Sequence, residues 1–319
     1  LDYIVMAWAP TIGWLFLGRL IAGISASTFA IANAYIADLF PPEERSKNFG
    51  LLGAAFGCGF IFGPVIGGFL GELGSRTPFY ATAGLTFLNF LFGCVVLPES
   101  LKSENRRAFD LRRANAIGAI QQLRRYRSVL KLAIANFLYL LGHHALPATW
   151  AYWAMERFSW NEREIGWSLG AVGIGMMVVQ GFLIRLLIPR YGLEKVAYVG
   201  LLCSVLSFIG FAFSSVGWMV YVFIVLGAGM GLVGPAVNGL MSARIPANEQ
   251  GELQGALGSV SSLSSIISPL FMATVFSYFS GNGVIYFPGA AFMAAALLAL
   301  AALYVFVKTL SVSRIRVRE

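Results

Sequence analysis

A chain of 319 residues that is 58% hydrophobic and only 12% charged, with a mean hydropathy of +0.74, lies far from soluble domains, about a quarter of whose residues are charged. A water-soluble fold is excluded. The net charge of +8 and isoelectric point near 9.6 would also suit nucleic-acid binding, but a basic excess is what the cytoplasmic loops of membrane proteins carry, and membrane-length apolar runs decide for the bilayer.

Hydropathy set against the charged breaks predicts helices at residues 1–9, 12–37, 49–70, 79–97, 130–155, 165–188, 196–214, 218–241, 253–279 and 284–307. That makes about ten segments of an all-α integral membrane protein, the first one short. Under strict alternation, Arg45, Lys47, the basic stretch from Lys102 to Lys131, Arg185, Arg190, Lys195, Arg244 and the tail from Lys308 to Arg318 fall on one side. Only Arg76, Arg157 and Arg163 fall on the other. The first side, with the C-terminus, is therefore expected to be cytoplasmic.

In the first segment, LDYIVMAW, Asp2 is an acid among apolar residues. An ionised carboxylate is costly inside a membrane, and a group that can give up its charge there can load and release protons. At a solvated chain end the same residue would be unremarkable. Arg19, in LGRLIAGISAS, costs roughly 2.5–3.5 kcal/mol on insertion scales. Either it snorkels to the interface, or it faces a cavity and steers protonation of a partner. Asp38 closes its segment and Arg45 follows in DLFPPEERSKNFG, where they form either a latch at the cytoplasmic end or a plain surface pair worth under about 1 kcal/mol.

The next segment carries GFIFGPVIGG, with Gly59, Gly63, Pro64, Gly67 and Gly68. Glycines three to four apart leave a groove that a second helix can enter, and Pro64 removes a backbone donor and bends the helix. Ordinary small-residue packing yields similar strings. If the motif acts through packing and bending, larger residues should block conformational change at this helix.

Residues 99–128 form the longest polar break, rich in Arg, with Ala116, Ile117, Ile120 and Leu123 at helical spacing. The pattern predicts a cytoplasmic linker lying on an anionic membrane surface, with a basic nucleic-acid arm as the rival reading. Beyond it, LYLLGHHALPATWAYW brings His143 and His144 together. Adjacent helical residues point about 100° apart, so at most one of them faces a cavity and chelation by the pair is disfavoured. Histidine can take part in proton coupling, or it can pack neutral. Pro147 with Trp150 and Trp153 offers a bend and an aromatic wall, although Trp also favours membrane interfaces. Cys58, Cys94 and Cys203 lie in apolar runs without metal-ligand or disulfide spacing, and no GxxxxGK[ST] loop for a nucleotide is present. Neither cofactor nor metal is expected.

A shift of 205 residues superposes Pro41 on Pro246, Glu44 on Glu249, Gly50 on Gly255, Leu52 on Leu257, Gly53 on Gly258, Ile61 on Ile266 and Pro64 on Pro269. A colinear set of matches between segments of the same direction is the parallel repeat of transporters built from two six-helix bundles. The expected organisation is a remainder of an N-terminal bundle at 1–98 holding its third to sixth helices, a linker at 99–128, and a C-terminal bundle at 129–319. On that count two helices and part of a third would precede Leu1.

The string Gly-x-x-x-Gly-Pro-x-x-Gly-Gly resembles the fifth-helix antiporter motif of the drug:proton antiporters of the major facilitator superfamily. The chain is similar to the tetracycline-efflux family in particular, through LDY (1–3), GRLIAGI (18–24), IAD (36–38), FGLLGAAFGCGFIFGP (49–64), PATW (147–150), ERFSWN (156–161) and QGELQG (250–255). The resemblance implies a major facilitator fold and proton-coupled efflux of a small drug-like molecule, tetracycline being one candidate, by a monomer in the inner membrane.

It matches Asp2 to the family's third-helix acid and Arg19 to its fourth-helix arginine, which with His143 form the expected proton-coupling set. His144, Trp150, Met176, Gln180 and Ser204 form the expected substrate set. Two members depart from the family pattern: Ser204 replaces a ninth-helix acid and Met176 an eighth-helix histidine, whereas Gln180 is retained. Neutral or zwitterionic amphiphiles are thereby favoured over cationic or metal-chelated ones. A metabolite exporter of the same fold and a non-transporting membrane protein are the alternatives.

Overall fold

The computed structural model describes residues 2–24, 32, 35, 39, 42–98, 126–245, 250–281 and 285–316, without side chains at 42–54, 56, 60, 127–128, 250–252, 254 and 312–316. Every regular element among them is helical: α1 (Asp2–Trp8), α2 (Ile12–Ile24), α3 (Pro42–Glu72), α4 (Thr77–Val96), α5 (Arg127–His143), α6 (Ala145–Phe158), α7 (Glu162–Val178), α8 (Ile184–Phe213), α9 (Gly217–Gly227), α10 (Val233–Ser242), α11 (Gln250–Ser280) and α12 (Ala290–Arg316). A π turn at Val179–Leu183 joins α7 to α8, and a 3₁₀ turn at Ala228–Leu232 joins α9 to α10.

The breaks follow backbone chemistry. Gly74, at φ 148°, turns the chain between α3 and α4, and Pro78 stands at the start of α4, where a missing N–H costs nothing. Pro147 has no N–H to give and its ring crowds the carbonyl of His143, so α5 stops there and α6 begins. Ser159, at φ 55°, ends α6 in a left-handed cap. Gly192, at φ 79°, breaks the long run into α8, three residues after Pro189.

The chain forms two compact units. The first comprises Leu1–Phe109 with Glu162–Gly170, and the second Asp110–Asn161 with Ala171–Glu319. In the second unit the core is built on α12, whose Ala291, Ala295, Ala299, Ala302 and Phe306 recur at helical spacing and are buried. The small side chains allow a close crossing with α5: a Cβ on Gly142 would lie 2.9 Å from the Ala295 carbonyl oxygen. Leu297, Leu300, Tyr304 and Val307, on other faces of the same helix, are exposed. An outer surface this apolar belongs in lipid. Inside the helices hydroxyls turn back on their own backbone, as Thr149 does to the Ala145 carbonyl at 2.8 Å and Thr309 to Val305 at 2.7 Å.

Six helices among the described residues are long and apolar enough to cross a bilayer: Thr77–Val96, Val129–Phe158, Glu162–Phe213, Gly217–Ser242, Gly255–Ser280 and Ala290–Ser311. The ten segments read from hydropathy, and the count of absent helices derived from them, are not supported. Within Glu162–Phe213, segments 165–188 and 196–214 remain two helices, parted at the non-helical Gly192 (φ 79°, ψ 159°). Ile12–Ile24 and Gly57–Glu72 are shorter apolar stretches as far as the described residues reach.

Candidate functional site

In the first unit the glycine string lies on α3 and meets the first half of α7. A Cβ on Gly68 would stand 2.8 Å from the Glu162 carbonyl oxygen and 3.2 Å from the Gly166 Cα. A Cβ on Gly166 would stand 2.9 Å from the Pro64 carbonyl oxygen, and one on Gly170 2.7 Å from Val65 Cγ2. Backbone therefore lies on backbone, a contact that only glycine permits on both sides. Phe69 and Trp167 flank the crossing edge to face at 5.9 Å, and the Arg163 guanidinium sits 5.1 Å over the Phe69 ring. Gly59, Gly63 and Gly67 have nothing within 4 Å of a Cβ in this conformation. Of the five motif residues, Pro64 and Gly68 thus make the crossing. Gly166 and Gly170, its other half, were not singled out in the sequence, although their four-residue spacing was visible there.

Asp2 opens α1 and is half-buried. The antiparallel α2 comes against it at Gly18, whose Cβ would lie 3.5 Å from the Asp2 carbonyl oxygen and 2.8 Å from Met6 Cγ. Arg19, the next residue, is turned by about 100° and is exposed. The helices of the two residues are adjacent. Asp38 lies outside the described residues, and Arg45 is described only as part of α3.

In the second unit the two irregular turns face each other. Gly175 comes against Ala228, where its Cβ would lie 2.9 Å from the alanine Cβ, and Gly231 against Val179 Cγ1 at 3.3 Å and Gln180 Cγ at 3.8 Å. A Cβ on Gly229 would lie 2.8 Å from Cys203 Sγ. Tyr139 donates to the Met230 carbonyl at 3.0 Å, and its ring is 5.5 Å from that of His143. His144 donates from Nδ1 to the Leu140 carbonyl at 2.7 Å, because a carbonyl can only accept. Single π turns inside α-helices concentrate at functional sites, and a mid-helix 3₁₀ stretch often marks a hinge. Gln180 sits in the π turn itself and is exposed, and the half-buried Met176 precedes it by one turn.

Tyr139 and the Gly227–Leu232 stretch escaped the sequence reading. Glycines 227, 229 and 231, alternating within an apolar run, were the available signal.

Trp150 and Ser204 lie in the packed interior of this unit. Trp150 contacts Trp153, Phe211 and Phe292 at centroid distances of 5.4, 5.1 and 6.1 Å, and Ser204 is spent on the Gly200 carbonyl at 2.8 Å. In this conformation the aromatic wall is closed.

Small-residue crossings and irregular turns inside an apolar helical protein are features that secondary transporters share. Residues 3–269 and 132–317 match the Major Facilitator Superfamily. The chain is 36% identical over 293 residues to the class C tetracycline resistance protein of Escherichia coli, covering 91% of this chain and 74% of that one. It is 34% identical over 294 residues to the class G protein of Vibrio anguillarum, covering 91% and 74%. In fold it is similar to an inward-facing, occupied bacterial homologue of the human lysosomal transporter Spinster, with a TM-score of 0.74, 16% identity, and coverage of 97% of this chain and 79% of that one. The human organic anion transporter MFSD10 gives a TM-score of 0.69 at 24% identity, covering 96% and 74%. The chain belongs to the Major Facilitator Superfamily and, within it, to the family of the tetracycline resistance proteins.

Proposed function

We propose that the protein exports small, partly apolar drug-like molecules in exchange for protons across the inner membrane, with tetracycline as the first substrate to test. The observation that carries this reading is the crossing at Gly68 and Gly166, which puts the last glycine of the antiporter string where no Cβ fits. The relationship to tetracycline resistance proteins over most of the chain supports the substrate class. Asp2 with Arg19, and His143 in the second unit, handle protons. His144, Trp150, Met176, Gln180 and Ser204 shape the substrate site, Asp38 and Arg45 latch the cytoplasmic end, and the protein works as a monomer. Exchange that moves one net charge gains about 2.3 kcal/mol per 100 mV, enough for roughly a forty-fold substrate gradient. The test is uptake of tetracycline into everted vesicles carrying a proton gradient.

The linker at 99–128 and the C-terminus face the cytoplasm in this reading, because Lys and Arg concentrate there. Single cysteines placed at 105, 115 and 318 in an otherwise cysteine-free variant are expected to resist an impermeant maleimide in intact cells and to react after permeabilisation. Labelling in intact cells would reverse the orientation.

A further inference from the structure

The 205-residue repeat extends to a feature that its matching residues do not reveal. Ala9 and Ser214 are repeat-equivalent, as are Met6 and Phe211. At both places the helix ends alike: the Ala9 N–H reaches the Met6 carbonyl at 3.4 Å, and the Ser214 N–H reaches the Phe211 carbonyl, also at 3.4 Å. Both terminal residues are buried, at 6% and 0% exposure, while the aromatic residues before them, Trp8 and Phe213, are exposed. A helix leaves its last carbonyls without partners inside the helix, and a buried carbonyl needs a donor.

In each unit an arginine supplies it. Arg76, at the start of α4, donates from one terminal nitrogen to the Ala9 carbonyl at 2.8 Å and from the other to Ala7 at 3.4 Å. Arg157, at the end of α6, donates from Nε to the Ser214 carbonyl at 3.1 Å. The two arginines come from helices that are not equivalent in the repeat, since Arg76 maps onto Gly281. The same helix end has therefore been closed twice by different routes. Both are among the three basic residues that alternation assigns to the face opposite the C-terminus.

In the second unit the closure extends one residue further. Tyr286, in the loop before α12, donates to the Glu156 carboxylate at 2.9 Å, and that bond is the main reason its phenol is pushed above its ordinary range. The Glu156–Arg157 dipeptide thus ties α6 both to the end of α8 and to the loop entering α12.

We infer that Arg76 and Arg157 are a matched pair of helix-end clamps, positioning residues that hold the outer ends of the repeat-equivalent helices α1 and α8 so that each moves as one rod during transport. A cation at a helix C-terminus is favoured by the helix dipole as well as by the hydrogen bonds. The two clamps differ in chemistry. Arg76 spans two carbonyls with the fork that only guanidinium provides, whereas Arg157 uses one donor, which an ammonium can replace.

This inference depends on the transport reading only through one of its two assays. In everted vesicles loaded by a proton gradient, with tetracycline as probe, R76Q and R157Q are expected to lower the maximal rate per folded molecule about tenfold, with KM changed less than twofold. R157K should recover to within about twofold of wild type, and R76K should recover less. Hydrogen exchange on the purified protein reads the clamp without transport: R76Q should speed exchange at residues 6–9, and R157Q at 211–214. If wild type fails to transport tetracycline, the transport reading has failed, and exchange alone decides the clamp. Unchanged exchange at both helix ends in the Gln variants overturns the inference. So does a full maximal rate in those variants, or an R157K no better than R157Q.

Discussion

Gly68→Leu is expected to abolish efflux, lowering it more than tenfold, while Gly63→Leu leaves the thermal stability of this conformation nearly unchanged. At Gly68 the added side chain meets the Glu162 carbonyl oxygen at 2.8 Å and the Gly166 Cα at 3.2 Å, and neither backbone can give way without separating α3 from α7. Overpacking of this kind costs roughly 1–3 kcal/mol. Among the described residues nothing lies within 4 Å of a Cβ on Gly63, so loss of efflux in its Leu variant would point to a conformation in which that space closes. Both variants should still bind substrate, because the crossing acts on the cycle rather than on the pocket. Efflux by Gly68→Leu at wild-type rate, measured against protein level in the membrane, would remove the crossing from the mechanism.

The second large effect is expected at Asp2. Asp2→Asn should abolish proton-driven efflux while leaving substrate exchange partly intact, because exchange of one bound molecule for another requires no proton to be carried back. An intramembrane carboxylate binds a proton reversibly under opposed pressures: desolvation favours the neutral acid and a nearby cation favours the ion. Arg19, on the helix that packs against α1 at Gly18, is the cation proposed for that role. Efflux and exchange assayed side by side in proteoliposomes separate the two activities. Normal coupling in Asp2→Asn would move the proton site to His143 or elsewhere.

Much of the fold was legible because lipid imposes a simple rule. A crossing helix must be long and apolar, so most segment centres stand out from composition alone, and the charged breaks mark their ends. Helix interiors were harder to read. The segment at 218–241 appears as one apolar run, yet it tightens to a 3₁₀ turn at Ala228–Leu232, where glycines let Cys203, Val179 and Tyr139 approach the backbone. The polar break between 188 and 196 reads as a separation of two helices, and the chain parts there at Gly192 alone rather than over a longer loop. The glycine motif was legible as a groove, but which of its faces is occupied depends on Gly166 and Gly170, about a hundred residues away. Trp150 and Ser204 show the same limit: their identities are plain in the sequence, but burial among Phe211, Phe292 and Gly200 comes from tertiary packing.

Proton coupling is the centre of the account, and it is tested most directly in everted vesicles containing the product of the native gene. Tetracycline accumulation should rise when a proton gradient is imposed without ATP, collapse on addition of a protonophore, and be accompanied by proton release from the vesicle lumen that Asp2→Asn abolishes. Accumulation that persists after the protonophore, or substrate movement without matching proton release, would contradict it.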